Sequence, residues 1–256
     1  MKKTIVFAKR NLIEVARDPL SWIFCAAFPI VMLIIMTIVN STIPKEAGQT
    51  LFRLDNLSGG IAIFGQMFVM LFTALAVAKD RGGAFLTRLY SSPMKSRNFV
   101  FGYLLPMIGV AFVQVLLSFA SSVIISKIVD TDISIGGLLL TAVVVMPSAL
   151  MFSAIGLLFG TIFNDKAAPG LCSIIISVGA MLGGIWFDIE GAGGIMFKIG
   201  RCLPFFYSTK LARASITLDF GFKEFVVPFL VTILSAIVLT VLGSIVFCHK
   251  MRADQR

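Results

Sequence analysis

Six stretches of this 256-residue chain are long and apolar enough to cross a lipid bilayer as helices. A hydrocarbon core of about 30 Å requires roughly 20 apolar residues in a helix. None of the six contains Asp, Glu, Lys, Arg or His, and each charge at the bilayer centre would cost several kcal/mol. The stretches are Leu20–Val39, Leu57–Ala78, Phe99–Ile125, Ile133–Phe163, Ala167–Phe187 and Phe225–Cys248. Because the intervening segments are too short for a soluble domain, we predict one all-α, polytopic transmembrane domain with six membrane spans.

The fourth stretch is longer than a bilayer needs. Its first residues include Ser134, Gly136 and Gly137, which predict that the helix begins near Leu138. The predicted spans are therefore 20–39, 57–78, 99–125, 138–163, 167–187 and 225–248.

The distribution of charge predicts the orientation of these spans. With the N-terminus in the cytoplasm, the inside segments are 1–19, 79–98, 164–166 and 249–256, and they hold 14 Lys and Arg against 5 Asp and Glu. The outside segments 40–56, 126–132 and 188–224 hold 8 of each sign. This asymmetry predicts that both termini lie in the cytoplasm. We expect a multi-pass protein of the plasma (inner) membrane. We therefore attribute the net charge of +9 to the orientation of the protein in the membrane. The nearest partner that it predicts is anionic lipid rather than nucleic acid.

Metal-binding and catalytic arrangements are not apparent in the sequence. The four cysteines, Cys25, Cys172, Cys202 and Cys248, have no metal-like spacing, and His249 is the one histidine. No Ser/His/Asp, HExxH or paired-carboxylate pattern is visible, so we predict no catalytic residue, no metal site and no enzyme activity in this chain by itself.

The N-terminal segment predicts an amphipathic helix over residues 3–17 that lies along the cytoplasmic interface. Phe7 and Lys9 interrupt its two faces slightly, and Pro19 separates it from the first span. The apolar face is formed by Ile5, Ala8, Leu12, Val15 and Ala16, and the polar face by Arg10, Glu14 and Arg17. The alternative is a solvated basic terminus.

Polar side chains inside the spans are candidates for a translocation path. Gln66 and Gln114 lie near the middle of their spans, where a buried amide must find partners, water or substrate. Ser118 and Ser122 follow Gln114 at intervals of four and share its helix face. The alternative for such stripes is simple helix packing. The candidate path residues are Gln66, Thr73, Gln114, Ser118 and Ser122.

The inside segment 79–98 predicts a short helix that ends before Pro93. Phe85, Leu86 and Leu89 would share one face, with Arg81 and Arg88 on another. Such a helix could insert into the groove of a cytoplasmic partner. A surface loop with one helical turn is an equal alternative.

Motifs along the chain resemble those of the type-2 ABC exporter permeases, in the same order on six spans. The matching motifs are Arg17-Asp18-Pro19, Asp80-Arg81 through Gly83 with Leu89 and Ser92-Pro93, Phe163-Asn164-Asp165-Lys166-Ala167-Ala168, and Leu203-Pro204-Phe205-Phe206-Tyr207 with Ala212-Arg213. Gly82, Ala84 and Asp188 depart from the usual pattern.

The resemblance implies a role for each segment between the spans. Segment 79–98 would be a coupling helix seated on an ABC ATPase (nucleotide-binding) subunit, and the N-terminal helix would be the connecting helix beside it. Segment 188–224 would form external, re-entrant short helices. The implied ATPase-coupling residues are Arg81, Phe85, Leu86, Arg88 and Leu89. The implied residues of the re-entrant segment are Pro204, Tyr207 and Arg213.

An energy source is missing from the chain, which carries no G-x-x-x-x-G-K-[ST] loop and no intramembrane carboxylate. The resemblance therefore implies an exporter of two permeases, identical or paralogous, with ATP and Mg²⁺ bound on the ATPase subunits. We expect export of an amphipathic drug-like, lipidic or peptide cargo, as in multidrug resistance. Polysaccharide export is less favoured because the 24 Phe look scattered. A non-transporting scaffold or immunity protein, a secondary transporter and a membrane enzyme are the remaining alternatives.

Overall fold

The computed structural model describes residues 2–44, 50–83 and 96–253, and within these ranges all regular structure is helical. The helices of the first half are α1 (Lys2–Arg17), α2 (Pro19–Thr42, with a π-helical turn at Ile23–Ala27), α3 (Leu54–Gly82) and α4 (Ser96–Ile128). Those of the second half are α5 (Ile135–Val144), α6 (Met146–Ile162), α7 (Ala167–Leu182), α8 (Ile189–Ala192), α9 (Gly194–Cys202), α10 (Pro204–Ile216) and α11 (Val227–Ala253, preceded by a π-helical turn at Phe222–Val226). The prediction of an all-α polytopic membrane protein is confirmed.

Five helices of the described chain are long and apolar enough to cross a membrane: α2, α3, α4, the pair α5–α6, and α11 with its π-helical turn. The sixth predicted span is shorter, because α7 has 16 residues and is about 24 Å long. Gly184 follows it with a φ of +76°, a left-handed conformation that suits glycine and ends the helix before the predicted boundary at Phe187. The total of six spans stays a prediction.

The fourth predicted span begins earlier than expected and is broken in the middle. Ser134 caps α5, because its Oγ accepts a hydrogen bond from the backbone N–H of Gly137 at 3.1 Å, so the helix begins at Ile135 rather than near Leu138. The break falls at Val145, just before Pro147, which cannot donate a backbone hydrogen bond to the preceding turn.

The centre of the molecule is α3, whose side chains are mostly buried by α4, α6, α7 and α10. Close approach of α6 depends on Gly156 and Gly160, where an added Cβ would overlap the backbone of Met70 and Ala74. Small residues four apart allow this kind of contact between membrane helices. By contrast, α2 and α11 keep much of their apolar surface exposed, for example Leu234 at 63%. Those surfaces are available to lipid or to a partner.

The N-terminal helix α1 packs on the first half of α4 through Phe7, which is buried against the rings of Phe99 and Tyr103 at 5.5 and 5.0 Å between centroids. Gly102 makes room for it, because a Cβ there would overlap the Phe7 ring. The prediction that residues 3–17 are helical is confirmed. The view of Phe7 as an interruption was wrong, since it is the anchor of α1, whereas Ile5 of the predicted apolar face is 60% exposed.

The helix ends gather at two sides of the molecule. We call the side with α1, the end of α3, the start of α4 and the end of α11 the basic side. Contacts there include the Tyr103 and Phe247 rings, 6.2 Å apart. The opposite side holds the start of α3 and helices α8, α9 and α10.

Candidate functional site

The carboxylate of Asp80 is buried in the last turn of α3, where the predicted coupling segment begins. Asp80 is 4% exposed and accepts two hydrogen bonds from Arg10 of α1, at 2.6 Å to Oδ2 and 3.0 Å to Oδ1. The Tyr103 hydroxyl of α4 donates a third, at 2.8 Å to Oδ2. A carboxylate can remain charged away from water when it has partners of this kind. Asp80 therefore joins α1, α3 and α4.

Further polar contacts reinforce this junction. Glu14 of α1 forms ion pairs with Arg10 at 2.8 Å and with Lys79 at 3.0 Å. Burial acts to lower the pKa of Arg10, but the hydrogen bond to Asp80 and the charges of Asp80 and Glu14 outweigh it and raise the pKa. Asn11, also buried, donates from its amide to the Gly102 carbonyl at 3.0 Å. Polar contacts thus add to Phe7 in holding α1 against α3 and α4.

Arg81, one of the predicted coupling residues, contacts the end of α6. Its guanidinium donates to the carbonyl of Gly160 at 3.2 Å and to that of Thr161, both in the last turn of α6. A cation is favoured at this end of a helix, where carbonyl groups lack helical partners. The other predicted coupling residues, Phe85, Leu86, Arg88 and Leu89, lie outside the described residues, and their contact with an ATPase stays a prediction.

The first two predicted path residues lie buried between α3 and the broken pair α5–α6. The amide of Gln66 donates to the Val145 carbonyl at 3.3 Å, and its Oε1 lies 2.5 Å from the Ser148 hydroxyl. It therefore occupies the polar gap that the helix break opens. Thr73 bonds back to the Val69 carbonyl at 2.7 Å and lies against Gly156.

The other three predicted path residues form a polar seam between α3 and α4. Gln114 fits against Gly65 and donates to the Ser118 hydroxyl at 3.1 Å. Ser122 is bonded to Ser58 at 2.8 Å. All three are buried in a single copy of the chain and are joined by hydrogen bonds, whereas Gln66 bonds to Val145 and Ser148 instead. Among described groups, none donates to Oε1 of Gln114. Their role in a path stays a prediction.

On the opposite side, α10 carries the three predicted residues of the re-entrant segment. Pro204 is its first residue, a position that proline favours, and the ring of Tyr207 packs on Phe206 at 5.3 Å. Arg213 donates from Nε to the Asn56 carbonyl at 3.1 Å and from Nη2 to the Gly184 carbonyl at 2.8 Å. Arg213 thereby ties α10 to the start of α3 and to the turn after α7.

A polar cavity of about 330 Å³ lies beside Arg213. Its border includes Lys210, which forms ion pairs with Glu190 and Glu224, each at 3.0 Å. Enclosure lowers the pKa of Arg213 to about 10, although the carboxylates of Asp188, Glu190 and Asp55 act to raise it, so this residue is charged at neutral pH. Within the described residues, no group of carboxylates, cysteines or histidines is placed to hold a metal ion.

An aromatic row on α2 and α3 was not predicted. Phe24 stacks on Phe68 at 5.7 Å, Phe28 contacts Phe68 at 5.6 Å and Phe64 at 6.0 Å, and Phe64 contacts Trp186 at 5.1 Å. The interpretation of the phenylalanines as scattered is wrong for these side chains. Their spacing of four along each helix, at 24 and 28 and at 64, 68 and 72, was the available signal.

Comparison with known proteins agrees with this architecture. The family model described as ABC-2 type transporter matches residues 2–217, which run from the start of α1 to just past the end of α10. No curated protein matches the chain. The matched family model represents a transmembrane permease domain rather than a nucleotide-binding domain. The chain therefore belongs to the ABC-2 type transporters, as a membrane-spanning permease subunit.

Proposed function

We propose that this permease works in an ATP-driven exporter, paired with a second permease and coupled to ABC ATPase subunits that bind ATP and Mg²⁺. Family membership supports the ATPase partner, because ABC-2 permeases generally work with one. The observation that carries the proposal is the junction at Asp80. It connects the end of α3, where the predicted coupling segment 79–98 begins, to two other helices by three hydrogen bonds.

The junction offers a route for force from the basic side. A displacement of the coupling segment would pull on Asp80 and Arg81, and through them on α1, α4 and α6. Packed helices transmit such displacements because their interfaces resist continuous deformation. At its other end α3 is bonded to Arg213 of α10, so the same helix would carry the motion to the opposite side.

The aromatic row supports an amphipathic cargo. Phe24 and Phe28 are 38% and 36% exposed on α2, on a surface that a second permease could cover. Aromatic faces bind apolar groups and cations. We propose that drug-like, lipidic or peptide cargo passes along this row. After α3 and α4 separate, Oε1 of Gln114, to which no described group donates, would accept a hydrogen bond from the cargo.

Polysaccharide cargo is the second candidate. It was disfavoured because the phenylalanines looked scattered, and the aromatic row contradicts that interpretation. Sugar hydroxyls would need many hydrogen-bond partners, since leaving one unpaired costs about 1–3 kcal/mol. The row itself consists of phenylalanines and Trp186, and so offers few polar groups. We therefore keep the amphipathic cargo as the favoured class.

The test is reconstitution of the permease with an ABC ATPase in vesicles, followed by measurement of cargo-stimulated ATP hydrolysis. Replacing Phe85, Leu86 and Leu89 together by alanine should abolish both assembly and stimulation. The matched control replaces three exposed side chains of α5, Ile135, Leu139 and Val143, and should change neither. Persistence of stimulated hydrolysis in the first variant would overturn the coupling role. Stimulation by amphiphiles and not by oligosaccharides would separate the two cargo classes.

A further inference from the structure

A groove runs between α1 and α4 on the basic side, next to the Phe7 anchor. It is an open groove of about 330 Å³, lined by Thr4 and Ile5 of α1 and by Arg97, Asn98, Phe101 and Leu105 of α4. None of these six residues takes part in the Asp80 junction. The groove is therefore a separate feature of the fold.

The lining changes from polar to apolar along the axis of α4. Arg97, Phe101 and Leu105 are four residues apart and form one strip about 12 Å long. Arg97 lies in the first turn of α4, beside Asn98, whose Oδ1 is 3.3 Å from the Thr4 hydroxyl. Phe101 and Leu105 lie deeper in the predicted span, and each is 53% exposed. The cation and polar groups at the helix end match a phospholipid headgroup, and the apolar wall that follows matches an acyl chain.

Charge also favours an anionic occupant. Arg97 is exposed, and within the described part of the chain no carboxylate forms an ion pair with it. Arginine binds phosphate through several N–H donors, and a basic side chain near an anionic membrane surface gains about 1 kcal/mol. The basic excess of the segments on this side acts in the same direction.

We propose that the groove binds one anionic phospholipid from the adjacent leaflet. The phosphate contacts Arg97, Asn98 and Thr4, and one acyl chain lies along Phe101, Leu105 and Ile5. Such a lipid touches α1 and α4 at once and stabilises their contact. This binding is independent of the proposed transport function.

The experiment uses the full chain in nanodiscs of phosphatidylcholine with a minor fraction of phosphatidylglycerol that carries a photoactivatable acyl chain. We expect crosslinks to residues 101–105, and at least fivefold fewer with the same label on phosphatidylcholine. Arg97→Ala should reduce crosslinking about fivefold, and Arg97→Lys should retain most of it. The matched control is Arg17→Ala, an exposed cation on the same side but outside the groove, and should have no effect.

A second pair of variants tests the acyl-chain wall. Leu105→Trp should fill the groove and reduce crosslinking, whereas Leu139→Trp, on an exposed position of α5, should not. Equal labelling by the two lipids, or equal effects of Arg97→Ala and Arg17→Ala, would overturn the proposal. Competition by soluble glycerol phosphate would also overturn it, because it would show a phosphate site rather than a lipid site.

Discussion

Arg10 and Asp80 meet through two hydrogen bonds, of 2.6 and 3.0 Å, although 70 residues separate them in the chain. The pair joins the N-terminal helix to the last turn of α3, where the predicted coupling segment begins. A buried carboxylate that lost its cation would be left with a large desolvation cost. The junction is thus a structural feature of the permease, and in the proposed mechanism it passes motion of the coupling segment to the membrane helices.

Replacing Asp80 by asparagine should destabilise the contact between α1 and α3. Breaking a buried pair by removing one partner costs about 3–5 kcal/mol when the remaining charge has no other partner. Arg10 is partly exposed and keeps its ion pair with Glu14, so we expect the lower end of this range. Thermal unfolding in detergent measures the effect. Glu14→Gln, which changes exposed pairs of the same network, should cost under about 1 kcal/mol.

Tyr103→Phe removes one hydrogen bond and leaves the ring that packs on Phe7. A hydrogen bond to a charged acceptor contributes about 1.5–3 kcal/mol. The loss should be non-additive with Asp80→Asn in a double-mutant cycle, because both changes affect one acceptor oxygen. Strict additivity would show that the hydroxyl stabilises the protein elsewhere.

Gly102→Ala should displace α1 from α4, because the new methyl group would overlap the Phe7 ring. Protease accessibility of the N-terminal helix should rise, and Phe7→Ala in the same chain should partly restore packing around the methyl. Gly109→Ala is the matched control on the same helix, since nothing lies within 4 Å of a Cβ there. Similar behaviour of the two alanine variants would contradict the close packing at Gly102.

Arg213→Lys should loosen α10 although the positive charge is kept. The compact ammonium group of lysine cannot reproduce the fork that contacts the carbonyls of Asn56 and Gly184. We expect a loss of about 1–2 kcal/mol and faster hydrogen exchange in the turn at residues 183–184. Arg201→Lys, at an exposed position on α9, should leave both measurements unchanged.

Phe24→Ala and Phe28→Ala should reduce cargo-stimulated ATP hydrolysis in the reconstituted exporter and leave unstimulated hydrolysis in place. The reason is that these exposed rings of the row are the ones available to cargo. Phe222→Ala, an exposed ring outside the row, serves as the control. An equal loss in the control would assign the effect to membrane packing.

Much of the fold could be predicted because lipid imposes a simple rule on composition: uncharged runs of about 20 residues become helices. The polar seam at Gln114 and Ser122 could be anticipated from spacing alone. What spacing could not reveal was the partner of each face. Phe7 became an anchor because Gly102 lies opposite it, and Arg81 bonds to α6 because that helix ends beside it. Both contacts join residues far apart in the chain.

In the proposed mechanism Asp80 and Arg10 couple the ATPase to the membrane helices, and an exchange of their charges tests this coupling. Cargo-stimulated ATP hydrolysis is measured for Arg10→Asp, for Asp80→Arg and for the double variant, each reconstituted with the ATPase. Each single variant should lose stimulation, and the double variant should recover part of it. Full stimulation in both single variants would show that the pair does not carry the coupling, and ATP hydrolysis by the permease alone would show that no ATPase partner is needed.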